Sequence, residues 1–362
     1  MSSKSHIFAV KTYHNKYRRT FDRELAAYTK LNYLDQDHNI LRCFGSFTQQ
    51  PSGRTTYNLL LEYAECDLDE YFEHTPSPDS FESTRQLWEQ LLGVADGLRT
   101  IHDGLGTGDR GRSYFGYHAD LKPANILRVG SRWKIADFGF SKFVEADDDQ
   151  PPEQIMDGGT CMYNAPECRR SIADNTVVPV SQKIDVWSMG CVFSKATTWT
   201  ILGFSGIRDF EKNLRAKVDQ RVLTRFHDGK NVLPSVQSWH KILRQNIHNK
   251  DHLTGKILDL VDDHLLQGDP RSRFDSKELF AYLEQLLREK EETPPSIALG
   301  PLPTHSFYLS PEGLINVWNP MISFYPDPDG LLDNICQLCC ISQDFCAHPL
   351  VSEFKLLILN LS

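Results

Sequence analysis

The chain has 362 residues, of which 40% are hydrophobic and 24% are charged, values that are ordinary for a globular protein and exclude a disordered or fibrous chain. The formal net charge of −9 argues against a general nucleic-acid-binding protein. No apolar run approaches the length of a membrane span and no signal-peptide core is present, so we expect neither membrane insertion nor secretion. The nine cysteines, an odd number without a secretory signal, favour reduced thiols and a cytoplasmic or nuclear location.

The first elements of the chain carry a lysine and a glutamate. Residues 7–13 are rich in β-branched and aromatic side chains, which predicts a strand that includes Lys11. A helix is predicted from Thr20 to Leu31, with Thr20 as its N-cap and Glu24 near its start. Considered alone, Lys11 and Glu24 would be an exposed strand lysine and a solvated helix glutamate.

A second strand, a long helix and a glycine-rich stretch follow. Residues 57–63 form an apolar run with Glu62 near its end and Ala64 directly beyond it, which predicts a buried strand. Apolar side chains recur at threes and fours over residues 81–102 and predict a central amphipathic helix. Residues 103–117 contain a G-x-G-x-x-G pattern, but it follows a helix rather than a strand. We therefore interpret it as a surface insertion and not as a phosphate-binding loop.

Residues 118–139 contain four polar side chains that a loop and a short hairpin could bring into one pocket. Asn125 and Asp137 offer the oxygen ligands that Mg²⁺ prefers. Lys122 is placed to stabilise a transferring phosphoryl group. Asp120, two residues earlier, could accept or orient a hydroxyl proton. This stretch predicts phosphoryl-transfer chemistry.

The C-terminal half contains two more helices and a segment of different composition. One helix is predicted over residues 181–199 with Ser181 as its N-cap, and a final amphipathic helix runs from Ser276 to Lys290. The prolines that follow mark a linker. Further on, Cys336 and Cys339 have zinc-ligand spacing, but no second well-spaced pair follows, so incidental thiols are the favoured interpretation.

Several motifs in chain order resemble those of eukaryotic protein kinases. The sequence HADLKPAN from His118 to Asn125, followed by DFG at residues 137–139, resembles the catalytic loop H-R-D-L-x-x-x-N and the D-F-G motif. Ala119 stands where that family has arginine. Further matches are FAVK at residues 8–11, GTCMYNAPE at residues 159–167, DVWSMG at residues 185–190 and DPRSR at residues 269–273.

The resemblance covers residues 7–291 and implies an α+β fold of two lobes. We expect a truncated small β-lobe in residues 1–64 and a large, mainly helical catalytic lobe in residues 65–291. Residues 292–362 would be a linker and tail of unknown role.

The resemblance also implies a nucleotide site. Lys11 would bind the α- and β-phosphates of ATP and would pair with Glu24. The backbone carbonyl of Glu62 and the backbone amide of Ala64 would meet the adenine edge.

On the same resemblance, the catalytic loop would act on the γ-phosphoryl group. Asn125 and Asp137 would hold Mg²⁺, and Lys122 would neutralise the transferring group. Asp120 would receive or orient the substrate hydroxyl.

The activation segment and its supports complete the implied set of residues. Asp185 would hold the catalytic-loop backbone, and Arg273 would pair with Glu167. Between Lys142 and Gly159 there is no serine, threonine or tyrosine, which agrees with the replacement of the catalytic-loop arginine, the residue that docks a loop phosphate. We therefore expect activity that does not depend on phosphorylation of this loop.

The strand pair that carries a kinase's glycine-rich loop is not found before Lys11. No glycine precedes that lysine, which leaves open either a truncated sequence or a protein that dispenses with the loop. Without this strand pair, one edge of the small-lobe sheet would be exposed.

The resulting expectation is an ATP-dependent kinase that phosphorylates serine or threonine hydroxyls of protein substrates, with no nucleic-acid partner. A catalytically weak pseudokinase or binding scaffold is the alternative, and a small-molecule phosphotransferase is a third, less favoured one.

Overall fold

The protein is described by a computed structural model that covers nine ranges of the sequence. They are residues 6–31, 39–50, 53–103, 113–146, 153–155, 158–168, 179–218, 221–289 and 354–360. The strands in these ranges are β1 (His6–His14), β2 (Cys43–Gln49), β3 (Thr56–Glu62), β4 (Cys66–Asp67), β5 (Ser113–Tyr117), β6 (Ile126–Val129), β7 (Arg132–Ile135), β8 (Lys142–Ala146), β9 (Arg215–Val218), β10 (Arg221–Thr224) and β11 (Phe354–Asn360). The helices are α1 (Arg18–Leu31), α2 (Leu68–His74), α3 (Phe81–His102), α4 (Lys183–Asn213), α5 (Pro234–Asn246), α6 (Leu253–Leu260) and α7 (Ser276–Arg288). Across these ranges, no helix is both long and apolar enough to span a membrane.

The small lobe is a sheet with one helix packed on it. Its strand order is β11-β1-β3-β2, and β3 pairs antiparallel with both β1 and β2. The predicted strand at residues 7–13 is confirmed as β1. Because alternate strand residues face the same side, Ala9 and Tyr13 are buried in the shared hydrophobic core together with Tyr28 of α1. Lys11 lies between them in the same alternation and is also buried.

The prediction that α1 begins at Thr20 with that residue as N-cap is wrong. The helix begins at Arg18, directly after a tight 3₁₀ turn over Asn15–Tyr17. The Arg18 N–H donates to the Asn15 carbonyl, so the turn runs straight into the helix. Thr20 therefore lies inside the first helical turn and is not the N-cap.

The expected open edge of the small-lobe sheet is occupied. Strand β11 pairs in parallel with β1 over seven register positions, from His6 opposite Phe354 to Thr12 opposite Asn360. This backbone pairing covers the edge that the sequence predicted to be exposed. A short part of the tail thus belongs to the small-lobe sheet, while the boundaries at residues 64/65 and 291/292 stay predictions.

The large lobe is built on α3 and α4. Helix α3 occupies the predicted residues 81–102, and Ser80 caps it through a capping box with Ser83. Its apolar stripe, including Trp88 and Leu91, is fully buried. The sequence placed the next helix at residues 181–199 with Ser181 as N-cap. The structure corrects this.

Helix α4 begins at Lys183, with Gln182 in the cap position and no side-chain cap, and it continues to Asn213. It is longer than predicted because Gly203, at φ 67° and ψ −168°, lets a second helical stretch follow the first across a kink. The final helix, α7, begins at Ser276 as predicted, with Asp275 as its N-cap, and ends at Arg288, two residues before the predicted end.

The interpretation of residues 103–117 as a surface insertion is partly wrong. Residues 113–117 form β5, which pairs antiparallel with β8, so that Ser113 lies opposite Ala146 and Tyr117 opposite Lys142. This pairing links the entry to the catalytic loop with the start of the activation segment. The three glycines of the G-x-G-x-x-G pattern lie outside the described residues, as do the cysteines with zinc-ligand spacing and the proline-rich linker.

Candidate active site

The catalytic loop between β5 and β6 is held by Asp185 of α4. One carboxylate oxygen of Asp185 accepts from the His118 N–H and the other from the Ala119 N–H, each at 2.8 Å. Ala119 has a φ of 64°, an unfavourable conformation for alanine that this clamp stabilises. Burial acts to raise the pKa of Asp185, but the bonds from His102 and the loop outweigh it and leave the pKa lowered. Asp185 therefore fixes the loop as the resemblance implied.

Asp120 is oriented by three donors and is only 5% exposed. Asn125 donates from its amide nitrogen to the Asp120 backbone carbonyl at 2.8 Å and to the Asp120 carboxylate at 3.2 Å. Lys122 donates to the same carboxylate oxygen at 2.9 Å. The Thr160 N–H donates to the other oxygen at 2.6 Å, and the Thr160 hydroxyl accepts from Lys122 at 2.8 Å. These contacts hold the Asp120 carboxylate and the Lys122 ammonium group in fixed relative positions.

Besides the polar cluster around Asp120, a second polar cluster, made of Lys11, Glu24 and Asp137, joins the small lobe to the large lobe. Lys11 donates to both carboxylate oxygens of Glu24, at 2.8 and 3.0 Å, and to Asp137 at 3.0 Å. Burial lowers the pKa of Lys11, but the two carboxylates outweigh burial and raise it. Burial raises the pKa of Glu24, an effect that Lys11 opposes. One ammonium group thus faces two carboxylates, and the cluster carries an excess of negative charge.

Asp137 is the open end of this cluster. Its side chain keeps 39% of its surface exposed, whereas the Glu24 side chain keeps none. Burial acts to raise the pKa of Asp137, but Lys11 and the Gly139 N–H outweigh it and hold the pKa below its usual value. Since Asp120 takes the Asn125 amide nitrogen, the Asn125 amide oxygen is the atom that can ligate a cation. A carboxylate and an amide oxygen are a donor set that fits Mg²⁺.

Phe138 packs the two clusters against each other. Its ring is fully buried, with centroid distances of 5.1 Å to Tyr28 of α1 and 5.2 Å to His118. The His118 imidazole in turn is 3.0 Å from the Ala136 carbonyl. The helix that carries Glu24 is therefore coupled by direct packing to the loop that carries Asp120.

The structure places the other two predicted site residues where the lobes meet. Glu62 is the last residue of β3, and Ala64 lies in the half-buried connection to β4. The Glu62 N–H donates to the Arg42 carbonyl at 2.9 Å. Its carboxylate forms an ion pair with buried Lys134 at 2.8 Å. The sequence analysis did not predict this side-chain role, because nothing local to Glu62 indicates a partner 72 residues away.

Two contacts in the site were missed from the sequence. The Tyr13 hydroxyl donates to Glu24, and strand alternation offered a signal, since Lys11 and Tyr13 are two residues apart and share a face. The Thr160 N–H contact to Asp120 had no such signal, because it depends on how the activation segment folds back.

Arg273 anchors the end of the activation segment. Its guanidinium donates to Glu167 at 2.7 Å, to the Lys183 carbonyl at 2.7 Å and to the Gln267 carbonyl at 2.7 Å. The Arg273 side chain is completely buried. The predicted pairing of Arg273 with Glu167 is confirmed.

A small sheet with one helix, a larger helical lobe and a polar site between them define the two-lobed α+β fold of protein kinases. A family model described as the protein kinase domain matches residues 1–283. The chain belongs to the protein kinase family.

Individual relatives are similar over shorter stretches. Mitogen-activated protein kinase kinase kinase 20 of Arabidopsis thaliana is 33% identical over 177 residues, which cover 47% of this chain and 46% of the relative. Serine/threonine-protein kinase mph1 of Schizosaccharomyces pombe is 28% identical over 178 residues, 48% of this chain and 24% of the relative. Cyclin-dependent kinase 4 of Xenopus laevis is 29% identical over 176 residues, 48% of each chain. The matches thus span less than half the length of these relatives.

Proposed function

We propose that the protein is an ATP-dependent, Mg²⁺-requiring kinase that phosphorylates serine or threonine hydroxyls of protein substrates. The observation that carries the proposal is the joint geometry of two clusters. Lys11 contacts Glu24 and Asp137 across the lobes, and Phe138 packs against both the helix of Glu24 and the loop of Asp120. The three relatives described above carry the name kinase, and one of them is named a serine/threonine-protein kinase.

The nucleotide end of the mechanism relies on Lys11. Held by Glu24, its ammonium group would bind the α- and β-phosphates, and the Glu62 carbonyl and Ala64 amide would hold the adenine edge. Asp137 and Asn125 supply the oxygen ligands for Mg²⁺. When bound, ATP would supply the phosphoryl group, and Mg²⁺ would supply a positive charge that stabilises the phosphate oxygens.

The transfer end of the mechanism relies on Asp120 and Lys122. Asp120 would orient the substrate hydroxyl and accept its proton as the hydroxyl oxygen bonds to the γ-phosphorus and the bond from that phosphorus to the leaving ADP oxygen breaks. Lys122 places a positive charge beside the equatorial oxygens that gain charge in the transition state. Most of the rate enhancement then comes from positioning and electrostatics.

A binding scaffold with weak or no catalysis is the second candidate. The Thr160 N–H donates to one Asp120 carboxylate oxygen at 2.6 Å, and Lys122 and Asn125 donate to the other. A substrate hydroxyl therefore has to share an acceptor oxygen of the proposed base with groups of the protein itself.

Transfer of labelled γ-phosphate to a general serine/threonine substrate tests the proposal. Wild type would be compared with Asp120→Asn and Asp137→Asn, and with Asp263→Asn, a charge-matched control at an exposed aspartate. Mg²⁺-dependent transfer by wild type and the control, lost in both site variants, supports catalysis by these residues. No transfer by a folded wild-type protein favours the scaffold.

A cytoplasmic or nuclear location is part of the same proposal, and it rests on the cysteine usage of the sequence. Fluorescence microscopy of a tagged full-length chain tests it. Signal confined to the secretory pathway would contradict it.

A further inference from the structure

Arg225 is a buried cation without a carboxylate partner in the described part of the chain. It directly follows β10 and is only 6% exposed. One guanidinium nitrogen, Nη2, donates to the Cys161 sulfur at 3.0 Å. A second, Nε, is buried and has no hydrogen-bond partner among the described residues. The arginine side chain stays charged in proteins, so burial does not neutralise it.

The other buried lysines and arginines of the described ranges behave differently. Each one forms an ion pair with a carboxylate: Lys11 with Glu24, Lys134 with Glu62, Lys195 with Asp69, and Arg273 with Glu167. Arg225 is the exception in this set. A thiol sulfur is a weak acceptor, and a buried charge without a strong partner is costly. The comparison indicates that no strong partner of Arg225 lies among the described residues, so its guanidinium is available to an anion.

The position of Arg225 shows where such a partner would approach. Cys161 is exposed and directly follows Thr160, the residue that contacts both Asp120 and Lys122. Cys161 is held in a turn, because the Tyr163 N–H donates to the Thr160 carbonyl at 2.9 Å. Arg225 therefore contacts the activation segment at Cys161, the residue next in sequence to Thr160 of the proposed transfer site.

The backbone around Arg225 is also held in place. The Arg225 N–H donates to the carbonyl of Leu214, the residue directly after α4, at 2.8 Å. The next residue, Phe226, is fully buried and packs its ring against Tyr163 with a centroid distance of 6.4 Å. The backbone that carries the guanidinium is thus held in place, and the side chain contacts Cys161.

We propose that Arg225 is a specificity-determining residue of the protein-substrate site. It binds an anionic group, a carboxylate or a phosphoryl group, on the substrate residue next to the acceptor hydroxyl. The anion takes the place of the Cys161 sulfur as acceptor and forms charge-assisted bonds with the guanidinium, which suits planar two-point recognition of such groups. The inference rests on the proposed function, since it assumes a protein substrate at Asp120.

Binding of labelled short peptides, followed by fluorescence anisotropy, tests the proposal without requiring turnover. Each peptide has one serine acceptor, flanked at the −1 or +1 position by glutamate, phosphoserine, glutamine or lysine. We expect wild type to bind an anionic peptide at least about tenfold more tightly than the glutamine peptide at one of the two positions. The glutamate and phosphoserine arms distinguish a carboxylate from a phosphoryl group.

Variants assign the preference to Arg225. In Arg225→Gln, the affinity for the anionic peptide divided by the affinity for the glutamine peptide falls to about one. Arg215→Gln, which removes an exposed arginine from the neighbouring strand, keeps the wild-type ratio. Arg225→Lys, which retains the charge but not the planar fork, gives an intermediate ratio and serves if Arg225→Gln does not fold. Thermal unfolding of each variant reports folding.

Three results overturn the proposal. In the first, wild type binds anionic and neutral peptides equally well. In the second, the Arg225 variants keep the preference for the anionic peptide, and in the third, Arg215→Gln loses it equally, which indicates an effect of bulk charge alone. Phosphate transfer without anion preference contradicts this inference but leaves the proposed function intact. Anion preference that depends on Arg225, without any phosphate transfer, supports anion binding by Arg225 but contradicts the proposed function.

Discussion

Two buried ion clusters of this kinase fold, one at Lys11 and one at Arg273, contrast in how completely they are satisfied. Lys11 faces two carboxylates, and one of them, Asp137, keeps 39% of its side chain exposed. Arg273 faces one carboxylate, and backbone carbonyls of Lys183 and Gln267 accept its other bonds. The first cluster has an excess of negative charge and an open side, whereas the second is closed.

The difference indicates different roles. A closed arginine–carboxylate pair holds chain segments together, and removing one partner leaves the other as a buried charge without a partner. An open cluster with an unbalanced carboxylate can still bind a cation and the phosphates that accompany it. Changes to the Lys11 cluster should therefore act on ligand binding and transfer, and changes to the Arg273 cluster should act on stability.

The largest expected effect follows from Asp137→Asn. Removing the open carboxylate removes a cation ligand, so Mg²⁺-dependent phosphate transfer should fall by about 10³-fold, the scale of several kcal/mol of charge stabilisation. Initial rates across a Mg²⁺ titration measure it. Transfer within a few-fold of wild type at all Mg²⁺ concentrations would contradict the role of Asp137.

Arg273→Leu should act on folding instead. The change leaves Glu167 without its buried partner, and we expect a loss of about 3 kcal/mol in the free energy of unfolding. Urea unfolding followed by tryptophan fluorescence measures it. Arg271→Leu, two residues away at an exposed side chain, is the matched control and should leave the stability close to that of wild type. Equal losses in the two variants would remove the distinction.

Asp185→Asn sharpens the comparison through pH. The pKa of Asp185 is lowered from its usual value of 3.8, so its contribution to stability is present above pH 3.8 and is lost as the pH falls through the folded-state pKa. We expect the variant to be less stable than wild type by about 2 kcal/mol at pH 7, because charge-assisted hydrogen bonds are lost.

The two proteins should converge in stability as the pH falls below 3.8. Urea unfolding at pH values from neutral to strongly acidic measures this convergence. A stability difference that stays constant across the acid range would show that the Asp185 charge is not responsible.

The smallest expected effect is that of Tyr13→Phe. The change removes the hydroxyl that donates to Glu24 and keeps the ring in the core, so we expect a loss of about 1 kcal/mol in stability. Thermal unfolding measures it, with Tyr57→Phe as control on the neighbouring strand. A larger loss in the control than in Tyr13→Phe would contradict a special contact to Glu24.

The parts of the molecule that could be predicted from sequence are those set by local pattern. Helix α3 was predicted over its full length because its apolar residues recur at threes and fours. Strand β1 followed from its β-branched and aromatic residues, and the contact between Lys11 and Glu24 followed from motif order. The candidate site could be predicted largely because its polar residues lie in short motifs.

The remaining features depend on contacts between distant segments. Helix α4 extends past the predicted end because Gly203 lets a second helical stretch follow the first across a kink. The pairing of β11 with β1 joins segments more than 300 residues apart in sequence, and local patterns carry no signal for it. Arg225 was missed for the same reason, since only the folded structure shows that it is buried without a carboxylate.

Thermal unfolding with ATP, in the presence of Mg²⁺ or of a chelator, tests most directly whether the Lys11 cluster binds the metal–nucleotide while the Arg273 cluster holds the fold. At ATP concentrations of about 100 times the dissociation constant, wild type should gain roughly 5–10 °C in Tm with Mg²⁺ and much less without it. Asp137→Asn should lose the Mg²⁺-dependent gain, and Arg273→Leu should unfold at a lower temperature but keep it. A Mg²⁺-dependent gain retained by Asp137→Asn, or lost by a folded Arg273→Leu, would contradict this division.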